Sequence, residues 1–203
     1  MRNVLIASIA ALAGSMLFST TAYAGGLGVI STGGVHTEHV YAYSEDLTQY
    51  KVSQLRPSTG IGLQAILGDF DDDFVGVAKI FWLGDFGPQN QGIQAAAKAQ
   101  GAEGEVTYAL REGIRPTGIA MAGLQWGVWG EPTGLEVNII TNLGAVFMTT
   151  DATEGLIAEL GVGAHYALND TVQVNAEVAY QARFRKTLAH SVGINLGARY
   201  FFD

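Results

Sequence analysis

SVGINLGARYFF, the stretch from Ser191 to Phe202, decides the fold. One face carries Val192, Ile194, Leu196, Ala198, Tyr200 and Phe202; the other carries Ser191, Gly193, Asn195, Gly197, Arg199 and Phe201. A repeat of two, apolar on one side and small or polar on the other, is the mark of a β-strand lying between two different environments. Strands of soluble domains usually run to about five or six residues. A strand that crosses a bilayer at a tilt needs roughly 9–11, and this stretch is long enough.

The same pattern recurs upstream. Val172, Val174, Ala176, Val178 and Tyr180 alternate with Gln173, Asn175, Glu177 and Gln181. Before the Asn169-Asp170 turn, Leu156, Ala158, Leu160, Val162, Ala164, Tyr166 and Leu168 alternate with Glu159, Gly161, Gly163 and His165. Earlier again, Leu135, Val137, Ile139, Leu143, Ala145 and Phe147 alternate with Glu136, Asn138, Asn142 and Gly144. The noisier N-terminal half predicts strands at 27–43, 59–68, 74–84 and 114–129. In the third of these, placing Phe74, Gly76, Ala78, Ile80 and Trp82 outward turns Lys79 inward. The opposite register would set an ammonium in hydrocarbon, at a cost of about 2–4 kcal/mol at the midplane. In the fourth, Ala120, Ala122, Leu124, Trp126 and Val128 face outward. In the first strand, His36 and Glu38 are assigned inward.

Eight strands, an even number, fit a closed antiparallel up-and-down transmembrane β-barrel, and closure removes the exposed edges of such long strands. The connections alternate in length. Those at 69–73, 130–134 and 169–171 are short, and those at 44–58, 85–113, 150–155 and 183–190 form the other set. Short turns on the periplasmic side and longer loops outside are the rule for such barrels, which puts both termini in the periplasm. Basic residues, among them Arg183, Arg185 and Lys186, gather at the proposed external end as a basic rim. Asp69, Asp71, Asp72 and Asp73 mark the opposite end. Within the longest loop, residues 92–102 read either as a short helix by propensity or as a mobile loop.

The N-terminus reads as a signal peptide, residues 1–24. Arg2 precedes an apolar run from Val4 to Phe18, and Ala22-Tyr23-Ala24 supplies a small-x-small cleavage site. Residues 25–203 then form one barrel domain. Mean hydropathy is +0.21, although no apolar stretch of the mature chain is long enough for a helical span. With no cysteine there is no disulfide or thiol chemistry. A formal charge of −8 argues against nucleic-acid binding.

With its signal peptide, eight alternating strands and aromatic close, the chain resembles the small bacterial outer-membrane β-barrels of the OmpA transmembrane domain, OmpX and OmpW types. The resemblance implies a Gram-negative outer-membrane location. It also implies contact with membrane lipid and lipopolysaccharide, and an assembly signal at Tyr200 and Phe202 read by the outer-membrane assembly machinery. Asp203, after the last aromatic, departs from that pattern. A periplasmic wall-binding domain after the barrel is not expected.

Turned inward, Lys79, Glu136, Glu159, His165, Glu177 and Arg199 predict a polar network filling a barrel barely wide enough for side chains. Glycines 161, 163, 193 and 197 either leave space in it or make room for bulky neighbours. The function expected is that of a structural or surface-interaction barrel with an occluded interior, working as a monomer or as an oligomer joined where lipid-facing Gly76 and the alanines allow close contact. Alternatives are a porin-like narrow channel or hydrophobic-solute conduit of the OmpW type, and an acyl hydrolase modifying lipid A or lipopolysaccharide. Enzymatic activity is not expected: His190 and Ser191 are adjacent, so they point to opposite faces of a strand and form no dyad. His36 and His39 likewise fall on opposite faces. No metal site or cofactor is expected, and the Asp69–Asp73 cluster reads as a solvated turn.

Overall fold

The computed structural model describes residues 25–86, 90–108, 114–147, 155–184 and 188–202. The predicted signal peptide, Arg185, Lys186 and Asp203 lie outside the described residues. The strands are β1 (Gly25–Tyr43), β2 (Gln49–Leu67), β3 (Phe74–Phe86), β4 (Thr107–Tyr108), β5 (Ile114–Gly130), β6 (Leu135–Phe147), β7 (Gly155–Ala167), β8 (Val172–Phe184) and β9 (Leu188–Phe202). One helix, α1 (Asn90–Lys98), stands between β3 and β4. Eight long strands pair antiparallel with their neighbours, and β9 pairs with β1, so the sheet closes. The two-residue β4 adds to the outer end of β1.

The stagger of the closed sheet can be read from its register. Gly26 pairs with Ile66, and the chain of partners continues through Val77, Gly123, Asn142, Glu159, Gln181 and Ser191. It returns to β1 at His36, ten residues beyond its start. A stagger of this size over eight strands inclines them by about 40° to the axis. A strand of 13 residues such as β7 then rises about 30 Å, enough for an apolar band roughly 25 Å tall.

The alternation in sequence becomes inside and outside in space. Val192, Ile194, Leu196, Tyr200 and Phe202 are exposed on the outer wall, while Ser191, Asn195, Arg199 and Phe201 are buried. Leu124, Trp126, Leu143, Leu160, Val162 and Val178 continue the apolar belt around the barrel. A β-bulge at Gly127 and Trp129 shifts the register against β6. It leaves Val128 and Trp129, adjacent in sequence, both outward and exposed.

Three expectations are corrected. β2 begins at Gln49 and not at 59, so the predicted loop 44–58 contracts to a tight turn. Residues 49–58 hide this because Lys51, Ser53, Gln54 and Arg56 put polar groups on both faces, which gives no lipid-facing alternation to read. The turn is closed by hydrogen bonds from Leu47 N to Ser44 O (2.9 Å) and Ser44 N to Thr48 O (3.1 Å), with Leu47 in the left-handed region at φ 65°. Asp46 accepts from the Ser44 hydroxyl and from the Thr48 amide and hydroxyl, which holds its carboxyl below the usual range. Second, β8 runs on to Phe184 and β9 starts at Leu188, which shortens the predicted loop 183–190. Third, Arg183 therefore lies on the inward face of β8, 1% exposed, and not on an external rim.

Beyond His36 the pairing of β9 with β1 ends, and β1 and β2 continue as a two-stranded ribbon to their turn. Helix α1 covers the ribbon's inner face: Ile93 and Ala97, one turn apart, pack with Val40, Ala42, Val52, Ala102 and Val106. Lys98 stands in the last turn, where a cation suits the helix dipole. Gly101, at φ +96°, takes the left-handed conformation that ends the helix. Gln94 ties the following segment down by donating to Val106 O (3.0 Å) and accepting from Val106 N (3.2 Å).

Candidate functional site

The interior is filled in layers. At the end bearing the short turns, Phe201 packs with Ile66, Val75 and Val77, and Phe70 meets Phe201 edge-on at 5.2 Å. Toward the end bearing the ribbon lies a second apolar layer of Ile30, Phe81, Leu83, Ile119, Met121, Val146 and Ile157. The polar network is set into the same interior.

Lys79 is its centre. Its ammonium donates to Glu177 Oε2 (2.5 Å) and Glu159 Oε1 (3.3 Å). Arg199 donates to the other oxygen of Glu177 at 3.2 Å. Two cations and two carboxylates thus compensate each other. Neutral donors satisfy the remaining oxygens: Asn142 (2.7 Å) and Gln181 (2.8 Å) reach Glu159, and Asn195 (3.2 Å) and Asn175 (3.3 Å) reach Glu177. His165 Nδ1 lies 3.6 Å from Glu136 Oε2, 3.2 Å from Gln125 Nε2 and 3.4 Å from Arg199 Nη1. All six residues named from the sequence are thus gathered inside the barrel, on β3, β6, β7, β8 and β9. Nearer the ribbon end, Asp85 accepts from Thr117 (2.8 Å) and stands 3.7 Å from Arg183. Arg56 is also buried, and its Nε donates to Phe86 O at 3.0 Å.

Two glycines show why the layers interlock. A Cβ on Gly163 would stand 2.7 Å from Asn138 Oδ1, and one on Gly197 would stand 2.8 Å from Asn175 Oδ1. Each glycine thus leaves room for the inward side chain of the residue paired with it on the neighbouring strand. Gly193 differs, since a Cβ there would meet nothing nearer than Gly33 O at 3.5 Å.

The outer wall carries a shallow apolar groove of about 650 Å³ beside Val29, Ile61, Leu63, Trp82 and Leu196. The β9–β1–β2 ladder is paired throughout that level, so the groove has no opening through the wall.

Above the apolar belt the outward face changes character. Ser53 Oγ lies 2.8 Å from His39 Nδ1 across the β1–β2 ribbon. The Tyr180 hydroxyl is hydrogen-bonded to His190 Nδ1, with the two rings stacked at 5.9 Å. Thr37 Oγ1 accepts from His190 N and donates to His190 O, both at 3.3 Å, fastening β1 to β9 just past their last ladder pair. Partial burial, Lys51 and His190 hold the His39 imidazole below its ordinary pKa. Ser191 points inward and donates to Gln181 Oε1 at 3.1 Å, so it is separated from His190 by the wall. The Ser53–His39 pair does have the distance of a nucleophile and its base. The charges acting on the ring are cationic, however, and no carboxylate among the described side chains bonds to it. Among the described side chains none supplies the carboxylate that stabilises an imidazolium in such a pair.

Sequence reasoning missed this cluster because its members are far apart in the chain. The available signal was the turn: Ser44 and Thr48 flank Asp46, and residues equidistant from it, such as His39 and Ser53, must face each other.

No family model matches the chain, and no curated protein matches its sequence. Among solved structures it is similar to Ail, the attachment invasion locus protein of Yersinia pestis, at 12% identity over 89% of this chain and 99% of that one, with a TM-score of 0.48. It is also similar to Neisserial surface protein A, at 11% identity over 86% and 97% of the two chains, with a TM-score of 0.40. A de novo designed transmembrane β-barrel is similar at 13% identity over 86% and 95%, with a TM-score of 0.36.

Proposed function

We propose that the chain is a sealed outer-membrane barrel that works through its external end, as a structural or surface-interaction protein rather than as a pore or a catalyst. The filled, charge-compensated interior carries this reading. A continuous water path would have to cross Phe81, Met121 and Ile157 and then the Lys79 network, all buried. The apolar belt supports the membrane location, since so much contiguous exposed hydrocarbon surface has no counterpart on a water-soluble monomer. A bacterial barrel of this size belongs to the outer membrane, where its partners are lipid and lipopolysaccharide along the wall. Tyr200 and Phe202, exposed on the last strand with their rings edge-on at 5.5 Å, are offered to the assembly machinery.

Planar-bilayer recording tests the sealed interior. Purified barrel in molar KCl is expected to give no resolved single-channel steps. Reproducible steps would favour the narrow-channel alternative. The proposal also sets both ends of the barrel chain in the periplasm, because Gly25 and Phe202 lie at the end of the short turns, away from the ribbon and α1. An epitope placed after Asp203 should stay shielded from antibody on intact cells, while one inserted between Asp46 and Leu47 should be labelled. The reverse pattern would overturn the orientation.

A further inference from the structure

The cluster on the outward face of the ribbon is not explained by a sealed barrel alone. We propose that His39, Lys51, Ser53 and His190 form a binding site for the phosphate group of an anionic envelope lipid, at the level where the apolar wall gives way to the polar ribbon. The proposal rests on the membrane-spanning reading above.

Placement is the first argument. Along β1 the outward residues run Val35, Thr37, His39, Tyr41; along β9 they run Ile194, Val192, His190. Val35, Leu55 and Val192 are exposed just below the cluster, and Tyr41 and Tyr43 are exposed just above it. A lipid whose acyl chains lie on the valines and leucine would bring its headgroup to the histidines. Tyrosines commonly hold this interfacial level.

The chemistry is the second argument. From β1, β2, β4, β8 and β9, the titratable groups whose described side chains stand on this outward face around the site are His39, Tyr41, Lys51, Tyr180 and His190, and no carboxylate is among them. Ser53, Thr37 and Tyr180 add hydroxyls to groups able to carry positive charge. An unrelieved cluster of like charges is unfavourable, and a phosphate relieves it while accepting several hydrogen bonds. Because Lys51 and His190 act against protonation of His39, a bound anion must raise that proton's affinity. Linkage then requires phosphate binding to tighten as the pH falls.

The test uses the whole barrel in zwitterionic detergent, with retained lipid counted by native mass spectrometry. Phosphatidic acid and phosphatidylcholine are supplied in equal amounts. Two cationic groups at a membrane surface, at about 1 kcal/mol each, set the expected preference for phosphatidic acid at about tenfold or more. Repeated with phosphatidylglycerol, a phosphodiester whose charge is constant over this range, the preference over phosphatidylcholine should be greater at about pH 6 than at about pH 8. The double variant His39→Gln, Lys51→Gln changes exposed ribbon side chains and should bring the preference close to parity. Histidine ring resonances of the unmodified barrel, titrated with phosphatidic acid, give the same answer without a variant: His39 and His190 should shift.

Equal retention of the two lipids, an undiminished preference in the variant, or silent histidine resonances would each overturn the site. Displacement of the lipid by an equal concentration of inorganic phosphate would show a free-anion site and overturn the lipid assignment. Bilayer recording judges the sealed interior separately, so failure of one reading is not mistaken for failure of the other.

Discussion

Replacing Lys79 by methionine is expected to cost the barrel about 3–5 kcal/mol of folding free energy, the usual penalty for removing one partner of a buried ion pair. Methionine matches the length of the lysine stem, so little packing is lost. What is lost is the ammonium paired with Glu159, and one of the two cations paired with Glu177. Both carboxylates are fully buried, and the neutral amides of Asn142, Gln181 and Asn195 do not balance a net charge. Urea titration of barrel folded into lipid vesicles, followed through Trp82, Trp126 and Trp129 on the outer wall, measures the loss. The companion variant Lys79→Met, Glu159→Gln should recover roughly half of it, because it leaves the Arg199–Glu177 pair as a neutral unit. A single variant within about 1 kcal/mol of the parent would mean that the network is not what stabilises the interior.

The same residues show how far the sequence carries. Lys79 was placed inward because the alternative register put a charge in lipid, and that one constraint fixed the face of every residue in β3. The C-terminal strands read cleanly because each meets two solvents, hydrocarbon outside and the polar network inside. Where that contrast disappears, so does the signal. β2 from Gln49 to Gln54 runs beyond the apolar belt with α1 beside it, so polar groups stand on both faces. Arg183 looked like a rim residue only because the end of β8 was set too early. Two more residues of strand turn the same guanidinium inward toward Asp85. The Ser53–His39 contact depends on a pairing register, which periodicity within one strand does not contain.

The β1–β2 ribbon beyond the closed barrel is expected to be a separate, weaker unit of the fold, and Ile93→Asp is the substitution that exposes this. Ile93 is fully buried between α1 and the inner face of the ribbon, beside Val40, Ala42 and Val52. Removing its side chain alone costs about 2–5 kcal/mol, and a buried, unpaired carboxylate adds to that. A nine-residue helix has little stability without its packing face, so α1 should leave the ribbon. Trypsin cleavage after Lys51 and Lys98 reads the release: a loss of about 3 kcal/mol in local stability raises the open population more than a hundredfold. The closed barrel keeps its eight-strand ladder below His36 and should retain its folded mobility in unheated gels. Equal cleavage rates in the parent and the variant would show that α1 does not hold the ribbon. The coupling reaches the outward face as well. Gln100, just past α1, donates to Lys51 O at 3.1 Å, so releasing the helix frees the strand that carries Lys51 and Ser53. Preference for phosphatidic acid should then fall although no residue of the outward cluster has been changed, as expected if a rigid ribbon is what presents the cluster to lipid.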